Sequence, residues 1–193
     1  MNIAIVLGSS RPGRLGERVC RMVRRLSSTV EADFTVIDVG GYDLPFFDEP
    51  IAPLANPDRQ TSAPARRFLD DMAAADGYVF LTPEYNYAPP AVLKNALDFL
   101  ATEAEGKPAL IVSYSSTPHG GTIAGQQLRI VLGKLGMLPL PKSLPLAHAD
   151  VLLDPEGRFT EESRWITRIS TFIPSALDDL ANHARVLRQL RKP

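Results

Sequence analysis

Val6-Leu7-Gly8-Ser9-Ser10-Arg11-Pro12-Gly13-Arg14 places two serines and two arginines among glycines, directly behind the apolar run Ile3-Ala4-Ile5-Val6-Leu7. An unbroken apolar run of that length is typical of a parallel strand covered on both faces. From Leu15 the pattern becomes a helical stripe of Leu15, Val19, Met22, Val23 and Leu26. The segment therefore reads as strand, turn and helix, with the turn outside the strand's carboxyl end. Backbone N–H groups and the helix dipole favour an anion there, and Ser9, Ser10, Arg11 and Arg14 can add charge-assisted hydrogen bonds. An ordinary strand-to-helix turn with solvated arginines is the competing reading.

Two nucleotide fingerprints fail on this turn. The Rossmann spacing requires glycines at the first, third and sixth positions, and Gly8 is followed by Ser10 and Gly13. A Walker loop requires Gly-Lys followed by Ser or Thr, which is absent, so γ-phosphate transfer is not expected. What remains suits a terminal monophosphate, such as that of flavin mononucleotide (FMN), better than a diphosphate.

Working outward, further apolar runs at 34–39, 77–82, 109–114 and, less sharply, 137–146 predict four more strands. Helical stripes separate most of them: Phe68, Leu69 and Met72, then residues 90–100 and residues 122–135. A last helix carries Trp165, Ile169, Phe172, Ile173, Leu177 and Leu180 on one face, expected to pack on the core, with Pro174 placed to kink or divide it. Five parallel strands interleaved with helices predict an α/β three-layer sandwich with right-handed crossovers. In strand order 2-1-3-4-5 the ligand crevice lies between the loops after strands one and three. That order joins residues 8–16 to residues 83–89, with 114–121 closing the pocket. The connection at 40–63 reads as a structural crossover, a lid or a dimer arm.

Composition narrows the function. The 193 residues suit one domain spanning 1–193, and 21 basic against 22 acidic residues leave no field to attract nucleic acid or an acidic membrane. The 17 prolines exceed the roughly ten expected at average usage, and many fall in connections. The single Cys20 sits beside Val19 and Val23, as a buried thiol or, alternatively, a nucleophile, and fits a reducing compartment. The first apolar run lacks a basic leader and enters the turn directly, so neither a signal peptide nor a membrane span is expected, and the chain reads as cytoplasmic. Three scattered histidines and one cysteine predict no metal site, and no nucleophile elbow is present.

The loop Thr82-Pro83-Glu84-Tyr85-Asn86-Tyr87 precedes Ala88-Pro89-Pro90, which restrains it and favours presentation of main-chain donors to a flat ring. Its tyrosines either stack on a ligand or anchor a surface loop. In Ser113-Tyr114-Ser115-Ser116-Thr117-Pro118-His119-Gly120-Gly121, Ser115 or Ser116 can donate to a ring and Tyr114 can pack along it. Gly120 and Gly121 permit close backbone approach. A serine-rich loop with an incidental surface His119 explains the same residues. Asn95 is positioned to bridge back to residues 83–87 or to form a local polar bridge, and Lys94 to reach a neighbouring subunit or solvent.

Gly8-Ser9-Ser10-Arg11 through Gly16, Pro83-Glu84-Tyr85-Asn86 and Leu93-Lys94-Asn95-Ala96-Leu97-Asp98 together resemble the NADPH-dependent FMN reductase family, of flavodoxin-like fold. The resemblance covers most of the chain. It implies that Ser9, Arg11 and the Arg14-Leu15-Gly16 turn bind phosphate, that Pro83, Glu84, Tyr85 and Asn86 line the flavin, and that Ser115, Gly120 and Gly121 complete the pocket. It also implies FMN and NADPH as cofactors, no catalytic side chain, a small acceptor such as a quinone, azo compound or free flavin, and a homodimer or homotetramer. Tyr42, Phe46, Phe47, Phe99 and Lys94 are the candidate contacts of that assembly. Gly16 departs from the family, many of whose members carry a hydroxyl residue there; Pro89 and Ala91 depart around Pro90. A flavodoxin-like electron-transfer or redox-sensing protein is the alternative reading.

Overall fold

Strand β1 (Asn2–Leu7) sends Ile3, Ile5 and Leu7 to one face of a sheet and Ala4 and Val6 to the other, and all five are buried. A computed structural model describes residues 1–191. Its strands β1, β2 (Asp33–Asp38), β3 (Gly77–Pro83), β4 (Pro108–Tyr114) and β5 (Leu138–Leu146) form one sheet in the order β2-β1-β3-β4-β5, every neighbouring pair parallel. This is the three-layer, flavodoxin-like arrangement that the alternation of patterns predicts, with the strand ends displaced by one residue at most. Central strands β3 and β4 are buried at all positions, as their continuous apolar runs require.

Helices α1 (Gly16–Leu26) and α6 (Arg164–Leu190) cover one face; α2 (Ala63–Ala74), α3 (Ala91–Asp98) and α4 (Thr122–Lys134) cover the other. A short α5 (Ala149–Leu152) follows β5. Helix α6 runs unbroken through Pro174 instead of dividing there. Ile166, Ile169 and Ile173 before the proline and Leu177, Leu180 and Ala184 after it all bury on the sheet, and this packing on both sides offsets the lost hydrogen bond. Trp165 departs from the core stripe and is 48% exposed. It lies beside the edge strand β5, beyond which, among the described residues, no further strand covers it.

That edge is blunted by sequence. Leu138 N–H donates to the Lys107 carbonyl and the Leu146 carbonyl accepts from Ser115 N–H, so these two residues turn their backbone groups to β4, on either side of a register shift at residues 140–142. Pro139 and Pro145, each next to one of them, therefore fall where the missing N–H would point to the open edge, which hinders pairing with another chain, and the irregular stretch around Pro141 breaks the edge further.

The 40–63 connection packs on its own protomer. Tyr42 meets Phe68 edge-on at 5.5 Å between ring centres, and Phe47 meets Phe99 at 5.2 Å. Asn95 accepts from Phe47 N–H at 2.8 Å and donates to the Pro45 carbonyl at 2.8 Å, so it clamps this connection and not residues 83–87. Of the candidate assembly contacts, Tyr42, Phe47 and Phe99 are used internally and Lys94 pairs with Asp98 one turn on at 2.6 Å. Phe46 is left 84% exposed.

Candidate functional site

The crossover order puts the turn after β1 beside the loop after β3, and β4 adds the third wall. A crevice of about 400 Å³ opens there, lined by residues 11–15, 83–85 and 114–117. A more apolar hollow of about 360 Å³ between β5 and α6 takes no residue from these three loops.

Gly8 sets the close approach. Its N–H donates to the Leu81 carbonyl at 3.0 Å, and a Cβ at this position would stand 2.8 Å from that oxygen and from Leu93 Cδ2. The next residue, Ser9, is fully buried, and its Oγ lies 2.8 Å from the Tyr85 hydroxyl. Ser9 Oγ also accepts from Arg11 N–H at 3.3 Å, and the Arg11 guanidinium lies 5.9 Å from the Tyr85 ring centre. Helix α1 opens at Leu15 with no side-chain cap beside the crevice; Glu17 lies in its first turn, with its N–H donating to the Arg14 carbonyl at 3.3 Å.

Arg14 is differently placed from the expectation. Its two terminal nitrogens donate to the Asp38 carboxylate at 2.9 and 2.6 Å, one also donates to the Ser9 carbonyl, and Nε faces Glu17 at 3.4 Å. The Asp38 hydrogen bond, opposed by burial, raises the guanidinium above its ordinary value. Arg14 thus ties the turn to the end of β2, and Arg11 is the exposed guanidinium of the turn. Ser10 points to Gly40 and lines a separate shallow hollow between the turn and β2.

In the second loop the Glu84 carboxylate accepts from Ala124 N–H at 3.0 Å, in the first turn of α4. Tyr85 and Ala88 exchange backbone hydrogen bonds at 2.9 and 3.0 Å around Asn86 and Tyr87, which carry φ values of +51° and +64°. The loop is therefore a two-residue turn with both central residues left-handed, a tight geometry that an asparagine accepts readily and a tyrosine does not. Asn86 is exposed and lies outside the crevice lining. In the third loop Ser115 Oγ accepts from Thr117 N–H at 3.1 Å, folding Ser115, Ser116 and Thr117 along the crevice.

Gly120 and Gly121 do not line it. Both have positive φ, and a Cβ at either would press on backbone, of residues 145–147 for Gly120 and of Tyr114 for Gly121. Their small size serves the seating of α4 against β4 and β5. Sequence reasoning missed Asp38, although an acidic residue ending the strand next to β1 is the available signal. Within the 114–121 stretch expected to close the pocket, nothing in the sequence singles out Thr117, and Tyr114 is expected only as a packing surface. His119 is exposed, with its carbonyl accepting from the Thr122 hydroxyl at 2.7 Å. Cys20 is buried, and burial raises its thiol above the ordinary value, which removes it from nucleophilic use.

An open parallel sheet with an uncapped helix N-terminus and two polar loops at its topological switch point defines a flavodoxin-like nucleotide-binding protein. The chain belongs to the NADPH-dependent FMN reductase family, whose sequence model matches residues 1–150. It is 36% identical over 165 residues to an NAD(P)H-dependent FMN reductase of Schizosaccharomyces pombe, covering 82% of each chain. It is 29% identical over 194 residues to a quinone reductase of Pseudomonas putida, covering 97% of this chain and 96% of that one. Among solved structures, a flavoenzyme NAD(P)H:(acceptor) oxidoreductase from Paracoccus denitrificans superposes with a TM-score of 0.76 at 22% identity, over 95% of this chain and 97% of that one.

The residues present fit FMN. The uncapped start of α1 and the exposed Arg11 meet at the crevice, and the Tyr114 hydroxyl, buried and without a hydrogen-bond partner among the described residues, lies against Gly16 at the start of α1. Among the described residues, no helix is long and apolar enough to cross a membrane.

Proposed function

We propose that this chain is an NAD(P)H-dependent oxidoreductase that holds FMN and reduces a small acceptor such as a quinone, azo compound or free flavin. The carrying observation is one crevice that joins the anion-binding turn to the loops after β3 and β4. In this reading Ser9, Arg11, Leu15 and Gly16 surround the phosphate, while Ser10 and Arg14 hold the turn in shape. Pro83, Glu84 and Tyr85 flank the ring by their main chain, with Ser115 to Thr117 opposite; Asn86, Gly120 and Gly121 shape those loops from behind. FMN bound here supplies the two-electron chemistry that links the nicotinamide to the acceptor. The protein's part is to bind, orient and shield: Glu84 is committed to α4, and no side-chain nucleophile is needed.

The exposed Phe46, Ile51 and Leu54 on the 40–63 connection support a homodimer or homotetramer as the working assembly. The lone buried thiol supports residence in the cytoplasm.

The test begins with the mass and visible spectrum of the flavin extracted from the purified protein, followed by titration of the stripped protein with FMN, FAD and riboflavin. Arg11→Ala is expected to weaken FMN more than riboflavin, because only FMN carries the phosphate charge. Anaerobic mixing with NADPH or NADH should bleach the bound flavin, and adding a quinone should restore its colour over many turnovers. A protein that binds no FMN, or one bleached only through a partner protein, would overturn the reading.

A further inference from the structure

Tyr114 ends β4 on the α1 side of the sheet and is 2% exposed, yet its hydroxyl has no hydrogen-bond partner. Leaving a buried hydroxyl unpaired is costly, on the order of 1–3 kcal/mol, and native interiors rarely tolerate it without a reason. The hydroxyl does not face apolar core alone. It sits against Gly16, the first residue of α1, where a Cβ would collide with it, and Tyr114 is part of the wall of the crevice. A donor without a partner, an uncapped helix N-terminus and a residue whose lack of a side chain admits the donor therefore coincide at one point. The site reads as a three-sided anion cradle: α1 backbone N–H groups, the Arg11 charge and a phenol.

We infer that Tyr114 is a phosphate-recognition residue, donating its hydroxyl proton to an FMN phosphate oxygen at the N-terminus of α1, and that Gly16 is required to admit it. This rests on the proposed FMN reading and adds a side-chain donor for the phosphate. Burial raises the Tyr114 hydroxyl well above its ordinary value, with the nearby Tyr85 adding to the effect. The group therefore stays protonated, and a donor, throughout the neutral range. The hydroxyl is also distinct from that of Tyr85, which is already engaged with Ser9.

Tyr114→Phe tests this, because it removes one oxygen and keeps the ring. The thermal midpoint of the flavin-free variant is expected to equal or exceed that of the parent, since an unpaired buried hydroxyl is lost. Its FMN Kd should rise about tenfold, the equivalent of about 1.4 kcal/mol, while its riboflavin Kd stays unchanged. Equal weakening of FMN and riboflavin, or an unchanged ratio between them, overturns the assignment. If the parent protein discriminates FMN from riboflavin and the variant does so equally well, only the role of Tyr114 falls. If the parent itself shows no preference for FMN, the underlying phosphate reading falls with it.

Discussion

Ser9 and Tyr85, 76 positions apart in the chain, meet hydroxyl to hydroxyl at 2.8 Å and join the turn after β1 to the loop after β3. The contact fixes the width of the crevice at its floor. It requires Gly8 to press against β3 and requires the tight turn around Asn86 and Tyr87 to aim Tyr85 inward.

Removing either partner should therefore loosen the site as a whole. Ser9→Ala and Tyr85→Phe are each expected to raise the FMN Kd about fivefold, corresponding to about 1 kcal/mol for a hydrogen bond of this kind. Because both changes break the same contact, the double variant should bind about as well as the weaker single one. Additive losses in a fluorescence titration would show that the two hydroxyls act independently.

The Arg14–Asp38 pair gives a prediction in which the sign is decisive. If Arg14 braces the turn, Asp38→Asn should weaken FMN binding several-fold, and Arg14→Lys should do likewise, because an ammonium cannot reproduce a two-point contact. The stability change should stay near 1 kcal/mol, since Asp38 is partly solvated. Tighter FMN binding by Asp38→Asn would instead mean that Asp38 holds Arg14 away from the phosphate.

The five strands, their order and the three loops that meet were legible because parallel strands and amphipathic helices leave strong, distinct periodicities. Legibility ended where a residue's role depends on a neighbour distant in sequence. Ser10, Arg14, Gly120 and Gly121 have the chemistry of ligand-binding residues; Arg14 does line the crevice but is paired with Asp38, Ser10 lies against Gly40, and backbone occupies the space beside Gly120 and Gly121. The polar bridge expected of Asn95 goes to neither residues 83–87 nor its own helix, because nothing local reveals that Pro45 and Phe47 return to α3. Trp165 was read as core because helical spacing identifies a face without saying where the sheet stops.

That clamp by Asn95 is itself testable. Asn95→Ala removes two hydrogen bonds to the backbone of residues 45 and 47, and a loss of about 1–3 kcal/mol is expected. The freed segment should be cut faster than the parent in limited proteolysis, with new termini near residues 43–60. A cleavage pattern identical to the parent's would show that the Phe47–Phe99 contact holds the connection alone.

Lys107 predicts the pH dependence of stability. Its side chain is buried and donates to the carbonyls of Met72 and Ala73, at 3.1 and 2.7 Å, at the end of α2. Burial pushes its ammonium down to about 8 from an ordinary 10.5, with Arg191 lowering it further while Asp76 and Glu103 act in the opposite sense. Between those two values the unfolded chain holds a proton that the folded chain has released, so the lysine's contribution to stability rises with pH through that window, and on acidification it falls until about pH 8 and levels off below. The raised Cys20 thiol opposes this trend once unfolded thiols ionise, near pH 9, and the raised Tyr42, Tyr78 and Tyr114 join it near pH 10. Urea unfolding of the parent and of Lys107→Met at steps from about pH 7.5 to about 9.5 isolates the lysine's contribution as the difference between them, since Cys20 is common to both. The parent should gain stability across that range relative to Lys107→Met, which has no proton to lose; parallel curves would show that Lys107 is solvated well enough to keep its charge.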